Sequence, residues 1–115
     1  NNIAYTSLPL KPHQDLAYYE SMPGLQLLHC VEFDNSVLGG ESTLVDCMAA
    51  AYQFRGVAPH HFETLTRVSA TFVKQRSGAN MIYQRPHIVL KGSSREDEIV
   101  AVNWSPPFEG PLMCP

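Results

Sequence analysis

From Ser69 onward the chain falls into four short segments of strand-type period, Ser69 to Lys74, Asn80 to Gln84, His87 to Leu90 and Ile99 to Trp104, cut apart by Ser77-Gly78 and by the polar turn Gly92 to Glu98. Runs this short, bounded by turn residues, restrict the chain to an architecture of many short strands. Upstream, Gly24 to Phe33 (GLQLLHCVEF) is an apolar run after the turn signal Met22-Pro23-Gly24 and reads as a buried strand. Gly39-Gly40 closes the loop after it, and Ser42 to Val45 reads as a short β-branched strand. One helical insertion interrupts this pattern. Asp46 is suited to N-cap an alanine-rich helix from Cys47 to Arg55 that stops at Gly56, and Pro59 opens a second helix to Arg67, with Phe62 and Leu65 three apart. There are no internal repeats. The order strand, strand, helix, helix, several strands favours a mainly β fold, a barrel or double-sheet jelly roll, over a parallel α/β fold.

Composition excludes several function classes. The formal net charge is −3, with five arginines and three lysines scattered along the chain, so no basic stripe is present to neutralise phosphates, and nucleic acid is not an expected partner. No apolar span reaches the roughly 18 residues needed to cross a bilayer, and the N-terminus has no signal-peptide pattern; a soluble protein is expected, in the cytoplasm or alternatively in the mitochondrion. Cys30, Cys47 and Cys114 form neither a Cys-x-x-Cys pair nor a disulfide framework, which suits buried thiols in a reducing compartment and argues against structural zinc. At 115 residues and 44% hydrophobic content the chain is one domain or a piece of a larger one. It opens at Asn1, with a candidate site motif within the first fifteen residues, and stops in a proline-rich stretch. The expectation is residues 1–115 as the N-terminal and central part of a longer catalytic domain, cut at both ends.

The candidate site motif is His13-Gln14-Asp15. On an extended segment, side chains alternate faces, so His13 and Asp15 point the same way and Gln14 the other. An imidazole and a carboxylate so placed supply two thirds of the 2-His-1-carboxylate facial triad that holds non-haem Fe(II) and leaves the opposite coordination positions open. His29, inside the apolar run, reads as a core histidine. His60 and His61 read as a helical surface pair, and His87 sits on a strand. Tyr18 and Tyr19, on an extended segment, face opposite ways, so at most one can join an aromatic cage; Trp104 reads as core. Gly39-Gly40 is a tight-turn device without the helix start that phosphate binding needs.

Five ordered blocks together resemble one known family: Asn1-Asn2-Ile3-Ala4-Tyr5-Thr6, His13-Gln14-Asp15, Gly24-Leu25-Gln26-Leu27-Leu28-His29-Cys30, Gly39-Gly40-Glu41-Ser42 and Leu44-Val45-Asp46. They are similar to the γ-butyrobetaine and trimethyllysine dioxygenases, Fe(II)- and 2-oxoglutarate-dependent oxygenases related to taurine dioxygenase. The likeness is dense to about Arg67, weaker beyond, and returns near Ile99 to Trp104. It implies a double-stranded β-helix, a jelly-roll core. It implies that His13 and Asp15 are the first two Fe(II) ligands, that Ser42 hydrogen-bonds a carboxylate of the co-substrate 2-oxoglutarate, and that ascorbate serves as reductant. By the same resemblance Tyr5 belongs to an aromatic cage for a trimethylammonium group, and Asn2 contacts the substrate's carboxylate end. The partners it implies are a small-molecule substrate and O2, with no nucleic acid and no membrane; a homodimer is compatible with it. The family's distal iron histidine and its 2-oxoglutarate arginine would lie beyond Pro115, and its zinc-binding domain before Asn1.

Two positions depart from that pattern. Ser105 stands where γ-butyrobetaine hydroxylases have a second substrate-carboxylate asparagine, and Leu16 where they have a tyrosine. The substrate implied is a small trimethylammonium amino-acid derivative such as γ-butyrobetaine, as in carnitine biosynthesis, with trimethyllysine or another small carboxylic acid as the alternative. A catalytically inactive jelly-roll binding module is the alternative of a different class.

Overall fold

The computed structural model describes residues 7–113, and within them regular structure starts at Cys47. Helices α1 (Cys47–Val57) and α2 (Pro59–Arg67) are followed by strands β1 (Ser69–Arg76), β2 (Ala79–Pro86), β3 (Ile88–Leu90) and β4 (Ile99–Val102), then by a 3₁₀ turn at Pro106–Phe108. Asp46 caps α1 as its residue type predicts: the carboxylate accepts from the Ala49 amide at 2.9 Å, satisfying one of the donors a helix start leaves open. The helix runs through Gly56 to Val57, past the expected stop. Its end is set by Pro59, which disfavours helical torsions at the residue before it; Ala58 takes φ −141°, ψ 63° and returns its amide to the Phe54 carbonyl. Pro59 then opens α2, where its missing N–H costs nothing.

β1 and β2 form an antiparallel hairpin in register from Ser69 opposite Pro86 to Arg76 opposite Ala79. Its two-residue turn is Ser77-Gly78, and Gly78 takes φ +83°, a torsion that a side chain would strain. β3 pairs antiparallel with β4, with a register shift between Val89 and Leu90. The architecture of the described residues is therefore two small two-stranded antiparallel sheets and two helices. One core cluster joins Ala17 and Tyr18 to Ala70 and Phe72 of β1, with Leu16, Met22, Met81 and Phe108 packed around it. The other packs Ala51 of α1 and Phe62 of α2 on Ile88 and Ile99 of the second sheet.

Residues 24–46 correct the sequence reading. Neither Gly24 to Phe33 nor Ser42 to Val45 is a strand, and neither is buried: Leu27 is 96% and Leu44 95% exposed. The residue types suit strands, but a strand needs a ladder partner for its amides and carbonyls and an apolar face to lie against. Among the described residues, none of β1 to β4 forms a ladder with residues 24–46. His29 and Cys30 share its exposure, so His29 is not a core histidine and Cys30 is not a buried thiol; Cys47 is partly exposed.

Candidate metal centre

His13 and Asp15 lie in an irregular turn, not on a strand, yet their side chains meet: His13 Nε2 is 3.2 Å from Asp15 Oδ1. His13 Nδ1 is 2.8 Å from the Lys11 carbonyl, which can only accept, so Nδ1 carries a proton that it donates there. In the neutral ring, Nε2 is then a bare lone pair facing a carboxylate oxygen. Two acceptors at 3.2 Å repel unless a cation lies between them, either a second ring proton, making an ion pair, or a metal ion. Metal–ligand bonds of about 2.1 Å at right angles put neighbouring donors about 3 Å apart, so this pair fits two adjacent coordination positions. The backbone acceptor on the far nitrogen is the arrangement that fixes the tautomer of a ligating histidine. The imidazole is mostly shielded and the carboxylate half exposed, which leaves the open side toward solvent. Among the described residues no group of three or more His, Cys, Asp or Glu side chains could hold a metal, so His13 and Asp15 are a pair without a third such side chain beside them.

The second carboxylate oxygen is also held. Gln26 Nε2 donates to Asp15 Oδ2 at 2.5 Å, a partner that spacing along the chain could not reveal because it comes from the irregular segment 24–46. On the other side of the turn, Leu16 adopts φ +63°, uncommon for a residue with a side chain. There the chain reverses, with the Tyr19 amide returning to the Leu16 carbonyl, so Asp15 stays exposed while Ala17 and Tyr18 enter the core. This reversal corrects the expectation that Tyr18 and Tyr19 face apart: their rings meet edge to face at 5.3 Å. Burial raises the Tyr18 phenol above its ordinary range, Tyr19 and Asp15 add to the rise, and Arg76 opposes it. Arg85 of β2 donates to the Tyr19 and Glu20 carbonyls and ties the reversal to the hairpin.

The remaining predicted residues fall elsewhere. Ser42 lies on the exposed segment before α1, with no hydrogen bond to His13 or Asp15, and Asn2, Tyr5 and Cys114 lie outside the described residues. Gly39 and Gly40 both take positive φ (+82° and +86°), a backbone role as expected. His60 and His61 are exposed on α2. Trp104, expected in the core, is 45% exposed: its backbone is held by Gln14 and its ring lies 5.5 Å from that of His87. His87 borders a cleft of about 260 Å³ together with Thr64, Thr71 and Glu109; its Nδ1 is 2.7 Å from the Asn103 carbonyl and its Nε2 3.5 Å from Glu109. The Glu109 contact had no signal in the sequence.

Residues 1–113 match the family described as "Taurine catabolism dioxygenase TauD, TfdA family". The chain belongs to the TauD/TfdA dioxygenase family. Among individual proteins it is 36% identical over 112 residues to dioxygenase str8 of Strobilurus tenacellus, which covers 97% of this chain and 25% of that protein. It is 36% identical over 101 residues to γ-butyrobetaine dioxygenase of a Pseudomonas species, strain AK-1, 88% of this chain and 26% of that protein. Human mitochondrial trimethyllysine dioxygenase is 40% identical over 65 residues, 56% of this chain and 15% of that protein. The chain thus spans about a quarter or less of the curated TauD/TfdA relatives named here.

Proposed function

We propose that this chain supplies two of the three protein ligands of Fe(II), His13 and Asp15, in a 2-oxoglutarate-dependent dioxygenase that hydroxylates a small trimethylammonium amino-acid derivative, as in carnitine biosynthesis. The observation that carries the reading is the facing of His13 Nε2 and Asp15 Oδ1 at 3.2 Å with the ring proton held at Nδ1, an arrangement that calls for a cation. When bound, Fe(II) with 2-oxoglutarate would activate O2 for C–H hydroxylation, one oxygen atom going to the substrate and the other to the succinate formed as carbon dioxide is released. The residues here do the holding: the Lys11 carbonyl orients the imidazole, and Gln26 orients the carboxylate. Ser42 is assigned to the 2-oxoglutarate carboxylate, Tyr5 to the trimethylammonium group and Asn2 to the substrate's carboxylate end. The two small sheets are read as parts of the family's jelly roll.

One observation favours a substrate other than γ-butyrobetaine within the same class. Ser105 is fully buried and its hydroxyl donates to the Gln14 carbonyl at 2.7 Å, so it is not free to hold a substrate carboxylate. Together with the likeness to trimethyllysine dioxygenases, this supports trimethyllysine as the second candidate. In the full-length protein, His13→Ala and Asp15→Ala should each abolish succinate formation from 2-oxoglutarate while circular dichroism stays as in the wild type. Succinate formation near the wild-type rate in either variant overturns the reading. Product analysis with γ-butyrobetaine and trimethyllysine side by side separates the two substrates.

A further inference from the structure

Gln14, between the two proposed metal ligands, commits every polar group it has to residues 102–105, the end of β4 and the stretch after it. Its amide donates to the Trp104 carbonyl at 2.7 Å, and its own carbonyl accepts from the Ser105 hydroxyl at 2.7 Å. Its side-chain Oε1 accepts from the Trp104 amide at 2.7 Å, and Nε2 donates to the Val102 carbonyl at 2.9 Å. That stretch is itself anchored through buried Asn103. The Asn103 amide donates to the His87 carbonyl at 2.8 Å, its Nδ2 donates to the Pro86 carbonyl at 2.8 Å, and its own carbonyl accepts from His87 Nδ1 at 2.7 Å.

The distance between donors on residues i and i+2 depends on the torsions of the residue between them. Pinning the amide, carbonyl and side chain of that middle residue removes its freedom. We propose that Gln14 is a positioning residue for the metal pair: its four hydrogen bonds to residues 102–105 set the separation and aim of His13 Nε2 and Asp15 Oδ1. Gln14 touches neither metal nor substrate. It acts by fixing the turn that carries both donors, and the Ser105 hydroxyl makes one of the bonds that fix it. Preorganisation of this kind matters because a site loosened by about 1 Å loses function while the fold persists.

The inference rests on His13 and Asp15 being metal ligands, and the test separates the two claims. Mn(II) is titrated into the full-length protein and followed by electron paramagnetic resonance well below the unfolding temperature, for wild type, His13→Ala, Gln14→Met and Ser105→Ala; Co(II) spectra are recorded on the same four proteins. Gln14→Met keeps the side-chain shape and removes both side-chain bonds. It should weaken Mn(II) binding by about tenfold, the lower end of what loss of an outer-shell partner costs, and alter the Co(II) ligand-field bands. Ser105→Ala, lacking one bond, should weaken binding less and shift the bands in the same direction, and it decides the matter alone if Gln14→Met does not fold. A lowered unfolding temperature with wild-type Mn(II) affinity and Co(II) bands would show a merely structural role and overturn the proposal. If the wild type itself binds no Mn(II) in a His13-dependent way, the metal reading falls and this inference with it; if it does and both variants match it, only the positioning role is refuted.

Discussion

Replacing Gln26 by Leu tests whether the irregular segment 24–46 takes part in the proposed metal centre. The bond from Gln26 Nε2 to Asp15 Oδ2 is short, 2.5 Å, and its acceptor is a carboxylate. Hydrogen bonds to charged groups contribute about 1.5–3 kcal/mol when shielded from water. The Asp15 side chain is 43% exposed, so water competes for the same oxygen and the contact falls to or below the bottom of that range, about 1–1.5 kcal/mol. With about 1.4 kcal/mol per factor of ten, Gln26→Leu should raise the Mn(II) dissociation constant by roughly five- to twelvefold. Leucine is the informative replacement because it keeps much of the volume at this exposed position and removes only the donor. Isothermal titration of the full-length protein measures the constant, and a thermal melt of the same samples reports stability. The melt should barely move, since Gln26 lies outside both core clusters. Unchanged affinity in a protein whose Mn(II) binding still depends on Asp15 would refute the claim that this contact orients the carboxylate.

Three further outcomes follow from the same site. Ser42→Ala should raise the apparent KM for 2-oxoglutarate at a cost of about 0.5–1.5 kcal/mol for one hydrogen bond, and an effect confined to the KM of the hydroxylated substrate would reassign Ser42. Tyr5→Leu should weaken binding of a trimethylammonium substrate by about two- to thirtyfold, the worth of a cation–π contact, while a neutral tert-butyl isostere loses much less; equal losses would make Tyr5 an apolar packing residue. The folded-state pKa of Tyr18 is raised, so the native protein holds that proton more tightly than the unfolded chain, and stability should decline as pH rises past about 10. Tyr18→Phe should make that alkaline decline shallower in denaturant melts, and an unchanged slope would show that Tyr18 is not its source.

What could be read from the residues alone was local. α2 matches its expected bounds, and α1 starts where Asp46 predicted, because a cap and a helix-opening proline act within a few positions. The β1–β2 hairpin is legible for the same reason, with its turn at Ser77-Gly78. The strands expected between Gly24 and Val45 are absent because strand residues do not make a strand until a partner lies beside them, and that information sits elsewhere in the chain. At the site, the pairing of His13 with Asp15 was visible at a spacing of two. The tautomer fixed by the Lys11 carbonyl, the Gln26 contact, and the Gln14 bonds to residues 88 and 91 positions later were not, since nothing in those residue types announces such partners.

The bare stretch Leu25–Val31 (LQLLHCV) has a bearing on how the protein behaves in the test tube. It contains no charged residue and no proline, and Leu25, Leu27, Leu28 and Val31 are between 82% and 96% exposed. Neutral, apolar heptamers with free backbone groups are the segments that stack into cross-β ribbons, and charges or prolines are the usual gatekeepers against it. Expressed by itself, this polypeptide should precipitate through that segment, at a rate that climbs steeply with concentration, long before its helices or hairpin unfold. A lysine in place of Leu27 or Leu28 would then do more for its solubility than any change that strengthens the core.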